Sequence, residues 1–173
     1  MKLDQRCEAI ELILSDVDGV LTNGGIVFDN QGIESKQFHT RDGLGIRLWQ
    51  RAGYKFGFVT GRSSHIVKMR AAELGVEIVR QTAEDKLPAA LEILAELRLE
   101  PRQVCYIGDD LPDLPVIKAM GLGVAVVDGC AEVRAAAHFV TTRQGGNGAV
   151  RETIETILKA QRRWDDLIQK YTS

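Results

Sequence analysis

Cysteine is scarce in this chain of 173 residues: Cys7, Cys105 and Cys130 stand far apart with no CxxC pair. That scarcity excludes a disulfide framework and a thiolate zinc site, and buried free thiols are the expectation. An excess of charge is missing too. With 22 Lys and Arg against 24 Asp and Glu, the formal net charge is -2. Nothing therefore draws the chain to polyanions in general, no basic stripe marks a nucleic-acid face, and basic residues that matter must act locally. No apolar run approaches the ~20 residues needed to cross a bilayer, and the first residues lack the charged, apolar and small-residue succession of a signal peptide. A cytoplasmic location is expected, with neither membrane nor nucleic acid as partner. Internal repeats, low-complexity tracts and Ser/Gly/Pro-rich linkers are absent as well, so residues 1–173 read as one domain.

What is present is a regular alternation. Hydrophobic residues make up 45% of the chain, enough for a substantial core. Short apolar runs at Ile10 to Ser15, Lys55 to Thr60, Glu77 to Arg80, Gln103 to Gly108, Leu122 to Val127 and His138 to Thr141 predict buried strands. Helical patterns lie between them, at Leu44 to Arg51, Ser63 to Leu74, Asp85 to Arg98, Leu114 to Met120 and Ala131 to Ala136. The clearest is the third, where Leu87, Ala90, Leu91, Leu94 and Leu97 recur on one face and Pro88 sits in the first turn. Strand alternating with helix predicts an α/β fold, a parallel sheet covered on both faces. Between Gly24 and Phe38 the pattern changes to Ile26, Phe28 and Ile33 around Asp29-Asn30-Gln31-Gly32, which predicts a projecting β-hairpin. The glycine-rich stretch Gln144 to Gly148 precedes a polar helix expected over Ala149 to Tyr171, whose stripe of Val150, Ile154, Ile157 and Leu158 predicts core packing. The glycines ahead of that helix leave open whether the tail, 144–173, is ordered.

In a parallel α/β sheet, ligands gather at the carboxyl ends of the strands. Here those ends carry Asp16-Val17-Asp18-Gly19, Thr60-Gly61-Arg62 and Gly108-Asp109-Asp110, while Lys86 opens the helix after the third strand. Asp16 and Asp18 leave one strand a single residue apart and Asp109 leaves another. Carboxylates so close repel unless a cation lies among them, and an all-oxygen set suits Mg²⁺. A magnesium ion beside a free carboxylate is equipment for phosphoryl transfer, with Asp16 as attacking group, Asp18 as acid and base, and Thr60 and Lys86 holding the remaining phosphoryl oxygens.

The sequence Asp16-Val-Asp-Gly-Val-Leu-Thr, then Val-Thr60-Gly-Arg, Lys86 and Gly-Asp109-Asp110-x-x-Asp113, resembles the four ordered motifs of the haloacid dehalogenase superfamily. Phe38 to Arg47, Gly108 to Val116 and Gly145 to Glu152 extend the likeness to one branch, the 3-deoxy-D-manno-octulosonate 8-phosphate phosphatases of lipopolysaccharide synthesis. The resemblance implies a Rossmann-like three-layer α/β/α core without a cap domain. It also implies a homotetramer assembled by the hairpins, and a C-terminal tail that helps to cover a neighbouring subunit's site. It assigns magnesium to Asp16, Asp109 and the main-chain carbonyl of Asp18, with Asp110 and Asp113 unranked behind them. Candidate contacts to a sugar acid phosphate follow from it as Asp18, His39, Thr40, Arg41, Asp42, Gly43, Arg47, Gly61, Arg62, Arg70 and Lys86, the arginines suiting both carboxylate and phosphate. His39 and Asn147 depart from residues found in some relatives, which keeps a nine-carbon sugar acid 9-phosphate as the alternative substrate. A phospho-receiver, a dehalogenase and a non-catalytic module are the other readings. Asp18 disfavours the first two, and the intact set of Asp16, Asp18, Lys86 and Asp109 disfavours the third.

Overall fold

The computed structural model describes residues 1–172. Its main sheet has six strands, all parallel: β1 (Leu12–Ser15), β4 (Lys55–Val59), β5 (Ile78–Arg80), β6 (Val104–Gly108), β7 (Leu122–Ala125) and β8 (Phe139–Val140), in the order β5-β4-β1-β6-β7-β8. The chain winds outward from β1 through β4 to β5, then returns to β6 on the other side of β1 and continues to β7 and β8. Strands β1 and β6 are neighbours whose connections diverge, with Ser15 beside Ile107, so a crevice opens at their carboxyl ends. Asp16 follows one of these strands and Asp109 the other. The six strands stand where the apolar runs predict them, shortened at their ends by one or two residues.

Because strand side chains alternate between faces, the sheet separates two cores. On one face Ile13, Phe56, Phe58, Cys105, Ile107 and Val124 pack against α2 (Thr40–Arg51), α3 (His65–Leu74) and α7 (Ala149–Ala160). On the other, Leu12, Leu14, Val59, Val104 and Tyr106 pack against α4 (Lys86–Leu97), α5 (Leu114–Ala119) and α6 (Ala131–Ala136). The predicted stripe of Val150, Ile154, Ile157 and Leu158 is fully buried in the first core. The glycine-rich stretch ahead of it is tied down as well, since Gly146 N donates to Val20 O at 2.9 Å and Gly145 N to Asp128 Oδ1 at 2.9 Å. Helix α7 is therefore an integral part of this core face.

Three local differences have physical causes. A short α1 (Leu3–Cys7) precedes β1 without any periodicity long enough to announce it. Helix α2 starts one turn earlier than its apolar pattern, because His39 Nδ1 caps it by accepting from Arg41 N at 3.2 Å. The single terminal helix expected over Ala149 to Tyr171 is two, α7 and α8 (Trp164–Thr172), broken where Arg162 takes the left-handed conformation at φ 57°. The hairpin is present as β2 (Val27–Phe28) antiparallel to β3 (Glu34–Ser35). Its turn is closed by Asp29 Oδ1, which accepts from Gln31 N at 2.8 Å and Ile33 N at 2.9 Å. Cys7 and Cys105 are buried free thiols as expected, while Cys130 is only half-buried.

Candidate active site

A cleft of about 530 Å³ opens at the carboxyl edge of the sheet, lined by Asp16, Asp18, Thr60, Gly61, Arg62, Lys86, Asp109, Asp110 and Asp113 among others. Three strand ends and one helix start supply them. Asp16 leaves β1 with its N–H bonded to Ile107 O at 3.0 Å, which locks the exit of β1 to β6. The chain then turns at Gly19, at φ 101°, where a Cβ would stand 2.0 Å from Asp109 Oδ2. Only glycine permits both that backbone and that approach, so the turn that brings Asp18 round also leaves room for Asp109.

Carboxylate oxygens of Asp16, Asp109 and Asp113 lie within 4.8 Å of one another. Lys86, the first residue of α4, reaches into the group with its Nζ 2.9 Å from Asp16 Oδ1 and 2.7 Å from Asp113 Oδ1. Burial, reinforced by the charge of Asp113, raises the Asp16 carboxyl from 3.8 to about 6 despite Lys86. Burial together with Asp16 and Asp113 raises Asp109 to about 8. Burial works against the Lys86 charge, but Asp16 and Asp113 outweigh it and its pKa is raised.

The acidic residues are not equivalent. Asp113 is fully buried and fully engaged: Oδ1 accepts from Lys86 Nζ and from Tyr106 OH at 2.6 Å, and Oδ2 from the N–H groups of Asp109 at 3.0 Å and Asp110 at 3.2 Å. It fixes the loop after β6 and the position of Lys86. Asp110 is exposed and caps the turn that follows, accepting from Leu111 N at 2.8 Å. Asp109 Oδ1, in contrast, is buried and has no hydrogen-bond partner. A buried carboxylate oxygen without a donor, beside a second carboxylate, is an arrangement that a hard cation with oxygen ligands satisfies. Asp16 and Asp109 thus fit a magnesium ion, and Asp113 buttresses them.

The second half of the cleft carries the remaining motif residues. Thr60 is buried at the end of β4, its Oγ1 accepting from Arg62 N at 3.4 Å. Arg62 is half-exposed with its Nε 3.8 Å from Asp18 Oδ2. Asp18 Oδ1 pairs with Lys36 Nζ, whereas Asp18 Oδ2 is buried without a hydrogen-bond partner.

The fold is shared with solved proteins. The structure superimposes on that of the 3-deoxy-D-manno-octulosonate 8-phosphate phosphatase of Moraxella catarrhalis, in complex with magnesium, phosphate and KDO, with TM-score 0.96 and 42% identity over 97% of both chains. The enzyme of the same name from Yersinia pestis is 46% identical over 157 residues, 91% of this chain and 84% of the relative. This chain belongs to the 3-deoxy-D-manno-octulosonate 8-phosphate phosphatase family. Residues 75–153 also match the family model of haloacid dehalogenase-like hydrolases. A cobalt-bound deoxy-D-mannose-octulosonate 8-phosphate phosphatase of Haemophilus influenzae shares the fold with TM-score 0.92 and 36% identity, over 98% of this chain and all of that one.

Among the candidate residues of this octulosonate phosphatase relative, the structure brings Asp16, Asp18, Thr60, Gly61, Arg62, Lys86 and Asp109 into one cleft. Seven others lie outside it. His39 and Thr40 sit at the start of α2, and Arg41 lines a separate cleft with Arg143, Asn147 and Arg151. Arg47 Nη2 donates to Glu73 O at 3.1 Å, and Arg70 pairs with Glu73 at 2.7 Å and lies over the Phe38 ring. Gly43 provides the space through which Arg70 passes, 2.5 Å from where its Cβ would be. Asp42 also lies outside the cleft. It is buried and caps α7, accepting from Gly148 N at 3.2 Å and Arg151 N at 2.8 Å. The sequence reading did not find Tyr106, Glu34 or Lys36. Tyr106 is hidden in an apolar strand, where only its alternation with Val104 and Gly108 hints that it faces the Asp113 side.

Proposed function

We propose that this chain hydrolyses 3-deoxy-D-manno-octulosonate 8-phosphate to 3-deoxy-D-manno-octulosonate and inorganic phosphate, through an aspartyl-phosphate on Asp16 and with magnesium as cofactor. One observation carries the mechanism: the Asp16 carboxylate sits at the floor of the cleft, 2.9 Å from Lys86 Nζ and grouped with Asp109. Magnesium, held by Asp16, Asp109 and the main-chain carbonyl of Asp18, would neutralise phosphoryl oxygens and lower the repulsion that attack by an anion meets.

The chain's own residues supply the rest. Lys86 holds one Asp16 oxygen and a phosphoryl oxygen, and Thr60 Oγ1 with the N–H of Gly61 offers donors to another. Asp16 attacks phosphorus in line and the bond from phosphorus to the sugar oxygen breaks. Protonated Asp18 gives its proton to that departing oxygen. Its carboxylate then takes a proton from water, which attacks the acyl-phosphate, releases phosphate and restores Asp16.

The sugar acid carries a carboxylate that Arg62 alone cannot match along with the phosphate. His39, Thr40, Arg41, Arg47 and Arg70 do not line this cleft, which supports a homotetramer in which a neighbouring copy completes the substrate site. Ile26, Val27, Phe28 and Ile33 are large apolar side chains exposed on the hairpin and available for that association. A single domain of this kind acts in lipopolysaccharide synthesis in the cytoplasm; no helix among the described residues is long and apolar enough to cross a membrane.

The test is phosphate release with and without magnesium, comparing the eight-carbon sugar acid 8-phosphate with nine-carbon 9-phosphates and hexose phosphates. A higher kcat/KM for the eight-carbon substrate, dependent on magnesium, is expected. Preference for a nine-carbon acid would keep the mechanism and reject the substrate.

A further inference from the structure

One buried lysine beside the cleft has no part in the steps above. Lys36 follows β3 at the base of the hairpin with its side chain only 1% exposed. Its ammonium pairs with Asp18 Oδ1 and lies 3.3 Å from Glu34 Oε1. Glu34 also accepts from Arg62 Nη2 at 2.8 Å and from Ser64 Oγ at 2.8 Å, so one ionic network joins the hairpin to the loop after β4 and the start of α3.

Exposed ion pairs contribute little, but a pair closed off from water is held in one geometry. A lysine enclosed between two carboxylates has no face left for substrate. What it does is to distinguish the two Asp18 oxygens. Oδ1 is engaged by Lys36; Oδ2 is buried, accepts no hydrogen bond and belongs to a side chain that lines the cleft.

We infer that Lys36 is a positioning residue that orients Asp18 so that Oδ2 is the oxygen presented to the leaving group and then to water. Glu34 is the anchor that holds Lys36 in place. The inference rests on the acid/base role proposed for Asp18, and the experiment separates the two.

The measurement is kcat/KM for two substrates, because it reports events only up to departure of the leaving group. The sugar oxygen must be protonated as it leaves, whereas p-nitrophenolate departs without a proton. General acid catalysis supplies typically 10²–10⁴-fold, so displacement of the acid in Lys36→Met should lower kcat/KM for the sugar acid phosphate about 10- to 100-fold. The loss with p-nitrophenyl phosphate should be about threefold or less.

Placed in an Asp18→Asn background, Lys36→Met should add no further loss, since both changes remove the same event. Lys36→Arg, which keeps the pairing, should recover part of the activity. If Lys36→Met does not fold, Lys36→Gln takes its place with the same readouts. Equal losses on both substrates, no loss on either, or a further loss in the Asp18→Asn background would each overturn the positioning role. Full activity of Asp18→Asn would instead overturn the acid/base reading beneath it.

Discussion

At the scale of single residues, the site is defined by which carboxylate oxygens lack a donor. Asp113 has every oxygen engaged, whereas Asp109 leaves one buried oxygen bare and shares its surroundings with Asp16. This tension makes a prediction about pH. Without metal, burial and the charge of Asp113 raise Asp16 to about 6, and burial with the charges of Asp16 and Asp113 raises Asp109 to about 8, above the usual 3.8. The folded state thus binds protons more tightly than the unfolded chain. Their contribution to stability is fully present below 3.8 and is lost as pH rises through 6 and 8. Thermal melts of metal-free protein should therefore show Tm falling between about pH 5 and pH 8, and the rise in Tm on adding magnesium should grow over the same range. A metal-free Tm that climbs across that window would show that the two carboxylates do not repel as the geometry requires.

At the scale of elements, the strand ends were legible because alternation of apolar runs and helices dictates a parallel sheet, and a parallel sheet dictates where its ligands gather. Asp16, Asp18, Thr60, Lys86 and Asp109 could all be placed by that rule before any coordinates. The rule does not reach past the first residue of a helix, and Asp42 stands further into α2. The family resemblance implies a substrate contact there, and the packing of α2 on α7 turns its carboxylate to two N–H groups at the start of α7. Asp42→Ala should cost about 1–2 kcal/mol of stability, read from denaturant midpoints, as loss of an N-terminal helix cap does. KM of the folded fraction should not change; a raised KM with unchanged stability would restore Asp42 as a substrate contact. The break between α7 and α8 was equally illegible. The apolar stripe runs on past it, and the left-handed turn is at Arg162, where no glycine or asparagine marks it. Lys36 and Glu34 escaped notice for a related reason, since ion pairs between distant segments leave no periodic trace.

At the scale of the whole molecule, the hairpin is the part that the folded chain does not use for its own core. Phe28 is 57% exposed, and Ile26, Val27 and Ile33 are exposed around it. Phe28→Asp places a charge in that apolar surface and should convert the proposed tetramer to smaller species by light scattering, while circular dichroism remains that of the folded chain. An unchanged molar mass would remove the hairpin from the assembly. The proposed chemical step rests on a covalent bond to one side chain, Asp16. An acyl-phosphate is reduced by borohydride to the alcohol, which would convert Asp16 to homoserine. The decisive measurement is therefore peptide mass spectrometry after borohydride treatment during turnover with magnesium. Homoserine at position 16, formed only when substrate is present, is the predicted result; full turnover with Asp16 unmodified, or modification at Asp18 or Asp109 instead, would contradict the account.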